Sequence, residues 1–299
     1  MEFLKKNIKK IYKQRAAYFF ILPSFIFFAI FTLYPVLKGI ELSFLRYRVP
    51  PEPSNYIGLR NYITVFGNPI FWQSVFNTFR YTIFVAFGSL AVALGIAMII
   101  YRLSNSTQSF FKSLFYLPGV TSAVIIVIQW RWIFHPNYGF LNYILSLIGL
   151  EPVVWLGTIQ TAMPSIIFMD IAKGDGAAIL LILAALNGIA RDIFDAAECD
   201  GARRFQIFRR ITLPLLKPII LYLTVMNTIN CLQVFVPVFM LTRGGPEFTT
   251  STVAFEIYQS AFMRMMQFDI AATMGVLLFI ATMGISILYF TLFKGDVSY

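Results

Sequence analysis

Ala190-Arg-Asp-Ile-Phe-Asp-Ala-Ala-Glu-Cys-Asp-Gly-Ala-Arg-Arg-Phe-Gln-Ile-Phe-Arg-Arg-Ile-Thr-Leu-Pro-Leu-Leu-Lys-Pro218 is a polar, basic island between two long apolar runs. It reads as two short helices with a break. Ile193 to Cys199 is long enough for about two turns, and Asp192 precedes it in the place of an N-cap. Gly201 can take the left-handed conformation that ends such a helix. Ala202 to Ile211 restarts a helix, with Phe205 and Phe208 spaced i,i+3 on one face. Pro214 and Pro218 mark the start of the next apolar run. On composition alone this is a loop between two membrane helices, kept on one side of the bilayer by its positive charge.

The rest of the chain supplies the membrane. Of its 299 residues, 58% are hydrophobic and 13% charged, against roughly 25% charged in soluble domains. The net charge of +10 is not a nucleic-acid surface. The basic residues fall in the segments between apolar runs, where membrane topology puts them. Cys199 lies in the loop and Cys231 in an apolar run, which gives no disulfide framework.

Residues 1–15 carry Lys5, Lys6, Lys9, Lys10, Lys13 and Arg15. The uncharged run Ala16 to Leu37 then follows, long enough to span a bilayer and with no small-x-small cleavage site after it. It reads as a first membrane helix rather than a signal peptide. Residues 38–80 form a polar connection holding Pro50, Pro51 and Pro53. Further runs are Tyr81 to Tyr101, Ser113 to Trp130 (or Phe134, if Arg131 snorkels), Thr161 to Leu186, Ile219 to Thr242 and Ile270 to Phe293. Six helices with both ends on one side is the simplest count. Fifteen Lys and Arg then fall on the inner side and eight on the outer side or outer helix ends, with Lys173 inside the membrane. That bias predicts cytoplasmic termini and a cytoplasmic 190–218 loop. The expected organisation is a basic terminus (1–15), a first helix with its outer loop (16–74), a membrane core holding the 190–218 loop (75–294) and a short tail (295–299).

Nothing in the chain points to catalysis. No Gly-x-x-x-x-Gly-Lys-Ser/Thr occurs, so no nucleoside triphosphate is cradled by that route. The single histidine, His135, excludes a paired-histidine arrangement and makes a metal site improbable. Gly244-Gly245-Pro246 is a turn signal.

Polar residues inside the apolar runs remain. Asp170 and Lys173 are spaced i,i+3 and can pair, while Asp175 falls on another face, with Gly174 and Gly176 opening space. Charges within a membrane helix face a bundle interior or a water-filled path. Two readings stand: an ion pair that holds helices together, or a polar wall of a substrate pathway. Asn227 and Asn230 share a helix face, and Gln233 continues it. Such amides can bond the hydroxyls of a ligand or join helices.

Asp195-Ala196-Ala197, Gly201 and Ile211-Thr212-Leu213-Pro214 resemble the "EAA" signature of bacterial ABC importer permeases, with Asp195 in place of the usual Glu. Tyr56-Ile-Gly-Leu-Arg-Asn-Tyr62, Leu114-Phe-Tyr-Leu-Pro118, Trp130-Arg-Trp-Ile-Phe134 and Leu241-Thr-Arg-Gly-Gly-Pro246 are similar to the carbohydrate class, the relatives of maltose and glycerol-phosphate permeases. The resemblance runs from Tyr18 to Phe293. It implies an all-α integral membrane protein with six transmembrane helices in the type I ABC importer permease fold. It implies transport of a sugar or oligosaccharide by alternating access, with Asp195, Ala196, Ala197, Gly201, Ile211, Leu213 and Pro214 coupling to a separate ATPase.

The implied partners are a second permease chain, two ATP-binding cassette subunits and an external or periplasmic sugar-binding protein, in a bacterial cytoplasmic membrane. ATP and Mg would be bound by the ATPase, and no cofactor by this chain. In maltose-type relatives the sugar contacts the helices flanking the loop. By the same resemblance Asp170, Lys173, Gly174, Ala177, Asn227, Asn230, Cys231 and Val234 stand at those contacts, although Ala172 replaces a usual Trp. The rival reading is a proton-coupled secondary transporter using Asp170 or Asp175. The basic loop has no purpose in that scheme, and no internal repeat supports it.

Overall fold

The computed structural model describes residues 15–47, 54–264 and 266–293. Lys5, Lys6, Lys9, Lys10, Lys13, Arg48 and Lys294, counted above for topology, lie outside them, as does the tail 295–299. The chain divides into two compact units, Met1–Val65 with Ser260–Val276 and Phe66–Gln259 with Leu277–Tyr299.

In the first unit, α1 (Arg15–Phe28) runs through a π turn, Ala29–Leu33, into α2 (Tyr34–Ser43). Pro35 has no N–H for the carbonyl four residues back, and the widened turn just ahead of it absorbs that lost bond. Phe19–Ser43 is long and apolar enough to cross a bilayer, and none of its spanning window is buried within the chain. A short antiparallel hairpin follows, β1 (Leu45–Arg46) with β2 (Asn55–Tyr56), and then α3 (Arg60–Phe66). Asn61 Nδ2 donates to Ser43 O at 3.0 Å and to Leu45 O at 2.8 Å. Ser43 Oγ and Tyr62 OH share a 2.8 Å bond.

The second unit is built on α4 (Pro69–Tyr101), whose 33 residues span about 50 Å. It starts at Pro69 rather than Tyr81. Asn68 Oδ1 accepts the Ile70 N–H at 3.0 Å, and Pro69 is preset for a first helical turn. Much of the expected polar connection is therefore helical. After α4 come α5 (Asn105–Val120), α6 (Ala123–Ile133), α7 (Phe140–Leu147), α8 (Ala162–Ala172), α9 (Gly176–Asn187), α10 (Arg191–Cys199), α11 (Arg204–Ile207), α12 (Leu213–Leu215), α13 (Lys217–Leu232), α14 (Val236–Leu241), α15 (Val253–Tyr258) and α16 (Phe268–Phe293), whose residues up to Val276 belong to the first unit.

One face of α4, Leu90-Ala93-Ala97-Ile100, packs with Ile179, Ile182 and Leu183 of α9 and Leu223 of α13. The alanines at i and i+4 let these backbones approach, which is how helices associate where lipid removes the hydrophobic drive. Lower on α4, Tyr81, Val85 and Ala86 pack with Met163 and Ile166 of α8, and with Cys231 and Val238. Asn77, also on α4 and buried, donates from Nδ2 to Phe248 O and Ser251 O, both at 2.9 Å. Thr252 Oγ1 donates to Val234 O at 2.9 Å. The segment after the Gly244-Gly245-Pro246 turn is thereby tied to the bundle.

Three of the expected continuous helices are broken. Among the described residues, Phe19–Ser43, Pro69–Tyr101 and Phe268–Tyr289 are long and apolar enough to cross a membrane unbroken. The count reaches six only with bent pairs. α5 and α6 meet at 96°, beyond Pro118, where Thr121 and Ser122 turn extended. α8 and α9 part at Lys173-Gly174-Asp175, where Gly174 has φ +74°, a conformation that favours glycine. α13 and α14 part at Gln233–Phe235, because Pro237 cannot donate to the Gln233 carbonyl.

Gly176 begins α9 against the backbone of α5. A Cβ there would lie 2.2 Å from Phe115 O and 2.8 Å from the Tyr116 Cα. At Gly95 a Cβ would meet nothing within 4 Å. Gly176→Ala is therefore expected to destabilise the purified chain by about 1–3 kcal/mol. Gly95→Ala is expected to be neutral or stabilising by up to about 1 kcal/mol. Thermal unfolding in one detergent measures both, and equal midpoints would mean that α9 does not press on α5.

Candidate functional site

The 190–218 loop folds from local signals. α10 begins at Arg191 after Ala190, so Asp192 sits in the first turn instead of capping it. A carboxylate there still favours the positive helix end. The C-terminus closes as a Schellman turn: Gly201 N donates to Glu198 O and Ala202 N to Ala197 O, both at 3.0 Å. Gly201 takes φ +78°, as this motif requires. The second helix starts at Arg204, not Ala202, because Arg203 stays extended and its N–H donates to Gln206 Oε1 at 2.7 Å. A π turn, Phe208–Thr212, then leads to Pro214.

Asp195 lies in the wall of a cleft of about 350 Å³ beneath this loop. Tyr101 and Arg102 come from the end of α4, Arg191, Phe194 and Glu198 from α10, and Arg204 and Phe208 from beyond the turn. None of Asp195, Glu198, Arg102, Arg191 and Arg204 forms an ion pair with a described residue. Ala196 and Pro214 are exposed, while Ala197, Ile211 and Leu213 are half-buried.

The substrate-pathway candidates meet elsewhere, in a cavity of about 540 Å³. Its walls include Tyr81 and Ser89 of α4, Tyr116 of α5, Asp170 of α8, Lys173 to Ala177 at the break, and Asn227, Asn230 and Cys231 of α13. Asp170 is 2% exposed and accepts from both Tyr81 OH and Lys173 Nζ. Each carboxylate oxygen thus has one donor, which is what a buried charge needs. Lys173 keeps 41% of its side chain exposed, so the ammonium is paired and also wet. Asp175 caps α9, its Oδ1 accepting from Ala178 N at 3.0 Å. The Asn227 amide reaches Ser89 Oγ at 3.5 Å. Gln233 does not join this wall: it ends α13 and is exposed.

The Asp170–Lys173 pair lies within the last turn of α8 and on the cavity wall, while the Tyr81 bond to Asp170 is what ties α8 to α4. The sequence reading misses Tyr81, Ser89 and Tyr116, whose only local signal is a polar group inside an apolar run. His135 is stacked on Tyr138 with centroids 3.3 Å apart. Among the described residues, no group of three or more His, Cys, Asp or Glu is placed to hold a metal ion.

A bundle of broken membrane helices around a polar cavity, with a structured charged loop at one end, defines a membrane transport subunit. No family model matches the chain. Individual relatives do. It is 31% identical over 292 residues to the trehalose/maltose transport system permease protein MalF of Thermococcus litoralis, covering 96% of this chain and 97% of that one. It is 31% identical over 273 residues to the sulfoquinovosyl glycerol transport system permease protein SmoG of Agrobacterium fabrum, covering 91% and 88%.

Among solved structures, a chain of a bacterial ABC transporter involved in the import of the acidic polysaccharide alginate superposes with a TM-score of 0.85 at 25% identity. That match covers 98% of this chain and 100% of the other. The chain belongs to the permease family of ABC importers, in its carbohydrate-uptake class. The proton-coupled alternative falls with that finding, and both carboxylates it would use are already engaged.

The unequal burial of the ion pair predicts unequal costs. Lys173→Met leaves a buried carboxylate with Tyr81 alone and should cost about 3 kcal/mol. Asp170→Asn still accepts from Tyr81, and the remaining ammonium faces the wet cavity, so about 1–2 kcal/mol is expected. Chemical unfolding of the purified variants gives the order. A larger loss for Asp170→Asn would mean the cavity does not hydrate Lys173.

Proposed function

We propose that this chain forms one half of the path by which a carbohydrate enters a bacterial cell. It sits in the cytoplasmic membrane with the 190–218 loop and both termini on the cytoplasmic side. A second permease subunit supplies the other half. Two ATPase subunits, which bind ATP and Mg, grip the loop, and an external or periplasmic binding protein delivers the cargo. A solved relative was captured as a bacterial alginate ABC transporter in complex with an alginate pentasaccharide-bound periplasmic protein, which supports that reading.

One structural relation carries the proposal. The two helices that flank the loop both end at the cavity. α9 leaves the break at Gly174 and runs 12 residues, about 18 Å, to within three residues of α10. α13 leaves the loop at Lys217 and brings Asn227, Asn230 and Cys231 to the cavity before it breaks. A displacement of the loop is carried along two stiff rods to the wall that faces the cargo. The breaks let those rods tilt without unravelling. The amides of Asn227 and Asn230 offer donors and acceptors for hydroxyls.

Gly201 is the position where this scheme is most exposed to test. A Cβ there would meet nothing within 4 Å, so the cost argued for valine is that of the positive φ, about 1–3 kcal/mol. In proteoliposomes holding the complete transporter, Gly201→Val should lower ATPase retention and abolish binding-protein-stimulated hydrolysis and sugar uptake. Asp195→Ala should be milder, because one charge-assisted contact is only part of the interface. Uptake should need ATP and ignore a protonophore. Normal stimulation in Gly201→Val would remove the loop from the mechanism.

A further inference from the structure

The cavity wall carries three ionic side chains, and they do not cancel. Asp170 and Lys173 neutralise each other as a contact pair. Asp175 remains. It is half-buried, lines the same cavity, and has no ionic partner among the described residues. Two carboxylates against one ammonium leave a net charge of −1 on this wall.

The backbone would otherwise favour the opposite sign. α9 is 12 residues long and its N-terminus opens at the cavity. Such a terminus attracts phosphate or carboxylate through its unpaired N–H groups and its dipole. Here the chain's own carboxylate takes that place, with Asp175 Oδ1 on the Ala178 N–H at 3.0 Å. The position an anionic cargo would use is filled, and the filling group repels it.

We infer that Asp175 is a specificity-determining residue that bars anionic cargo, so the carbohydrate carried is uncharged. This rests on the import reading above and narrows it: glycerol phosphate, sugar phosphates and uronates are excluded, and hydroxyl-rich neutral saccharides are admitted. The Lys173 ammonium does not reverse the sign, because Asp170 already holds it. Nearby, Asn227 and Asn230 supply neutral donors and acceptors, suited to hydroxyls.

Asp175→Asn separates charge from structure, because asparagine caps a helix as well as aspartate does. The charge is read first, independently of the cargo. The full chain in nanodiscs carries Ala177→Cys, an exposed position on the cavity wall, with Cys199→Ser and Cys231→Ser. Its modification rates by small cationic and anionic methanethiosulfonates are compared. The cationic reagent should react faster, and Asp175→Asn should cut the cation-to-anion ratio roughly tenfold, as expected for one nearby charge in a partly aqueous cleft. Thermal unfolding should stay level with wild type, whereas Asp175→Ala should lower it through the lost cap.

The second readout is competition for uptake in the complete transporter. Uncharged oligosaccharides should compete, and glycerol phosphate or uronate oligomers should compete only once Asp175 is Asn. An unchanged reactivity ratio in Asp175→Asn overturns the inference. So does wild-type uptake of an anionic saccharide as readily as a neutral one. If no saccharide is taken up at all, the import reading fails, and the reactivity ratio still decides the sign of the wall.

Discussion

Asp170 is the constraint around which the transport core is arranged. A carboxylate buried to this extent persists only if both oxygens are matched, and here Tyr81 and Lys173 match them. Tyr81 comes from the central helix and Lys173 from the last turn before the break. The Tyr81 bond therefore ties α8 to α4, and the Lys173 bond closes on the last turn of α8 itself. Gly174 follows in the left-handed conformation, and Asp175 starts α9 as its cap. The buried charge and the break therefore lie side by side on the cavity wall.

The break matters because of what lies at the other end of α9. Close backbone packing runs along this helix: Ala178 faces the alanine face of α4, and Gly176 abuts the Phe115 carbonyl. A rod packed this closely moves as a unit more readily than it bends. At its far end the Gly188-Ile189-Ala190 link joins it to α10, whose Schellman turn holds the loop in one shape. α13 mirrors the arrangement from the other side of the loop, ending at its own break beside Cys231. In the proposed mechanism the loop, the two helices and their two breaks act as one mechanical chain.

The loop is legible in sequence because its signals are local. A glycine two residues after Cys199 ends a helix by a rule that needs no tertiary information. Where the second helix starts is harder to read, because Arg203 spends its N–H on the Gln206 side chain and stays extended. The polar residues at 170–175 announce a special place, and their i,i+3 spacing gives the ion pair. Tyr81 is not legible, since it lies 89 residues from Asp170 in a run that reads as plain membrane helix. Gln233 misleads for the opposite reason: helical spacing carries the Asn227–Asn230 face onto it, but Pro237 ends the helix first. The start of α4 at Pro69 is signalled by Asn68-Pro69, which hydropathy alone overlooks.

The claim that α9 transmits loop movement to the cavity as a rigid rod hinged at Gly174 is open to direct measurement. Spin labels placed in a cysteine-free background at Phe168 and Asn187 span the break, and labels at Ala177 and Asn187 lie within α9. All three positions are exposed. Electron-spin distances are taken in the assembled transporter, nucleotide-free and trapped with ATP. The account predicts that the Phe168–Asn187 distance shifts by several ångströms while the Ala177–Asn187 distance holds. An unchanged distance across the break in a transporter that still hydrolyses ATP and carries cargo would contradict it, as would a change confined to α9 itself.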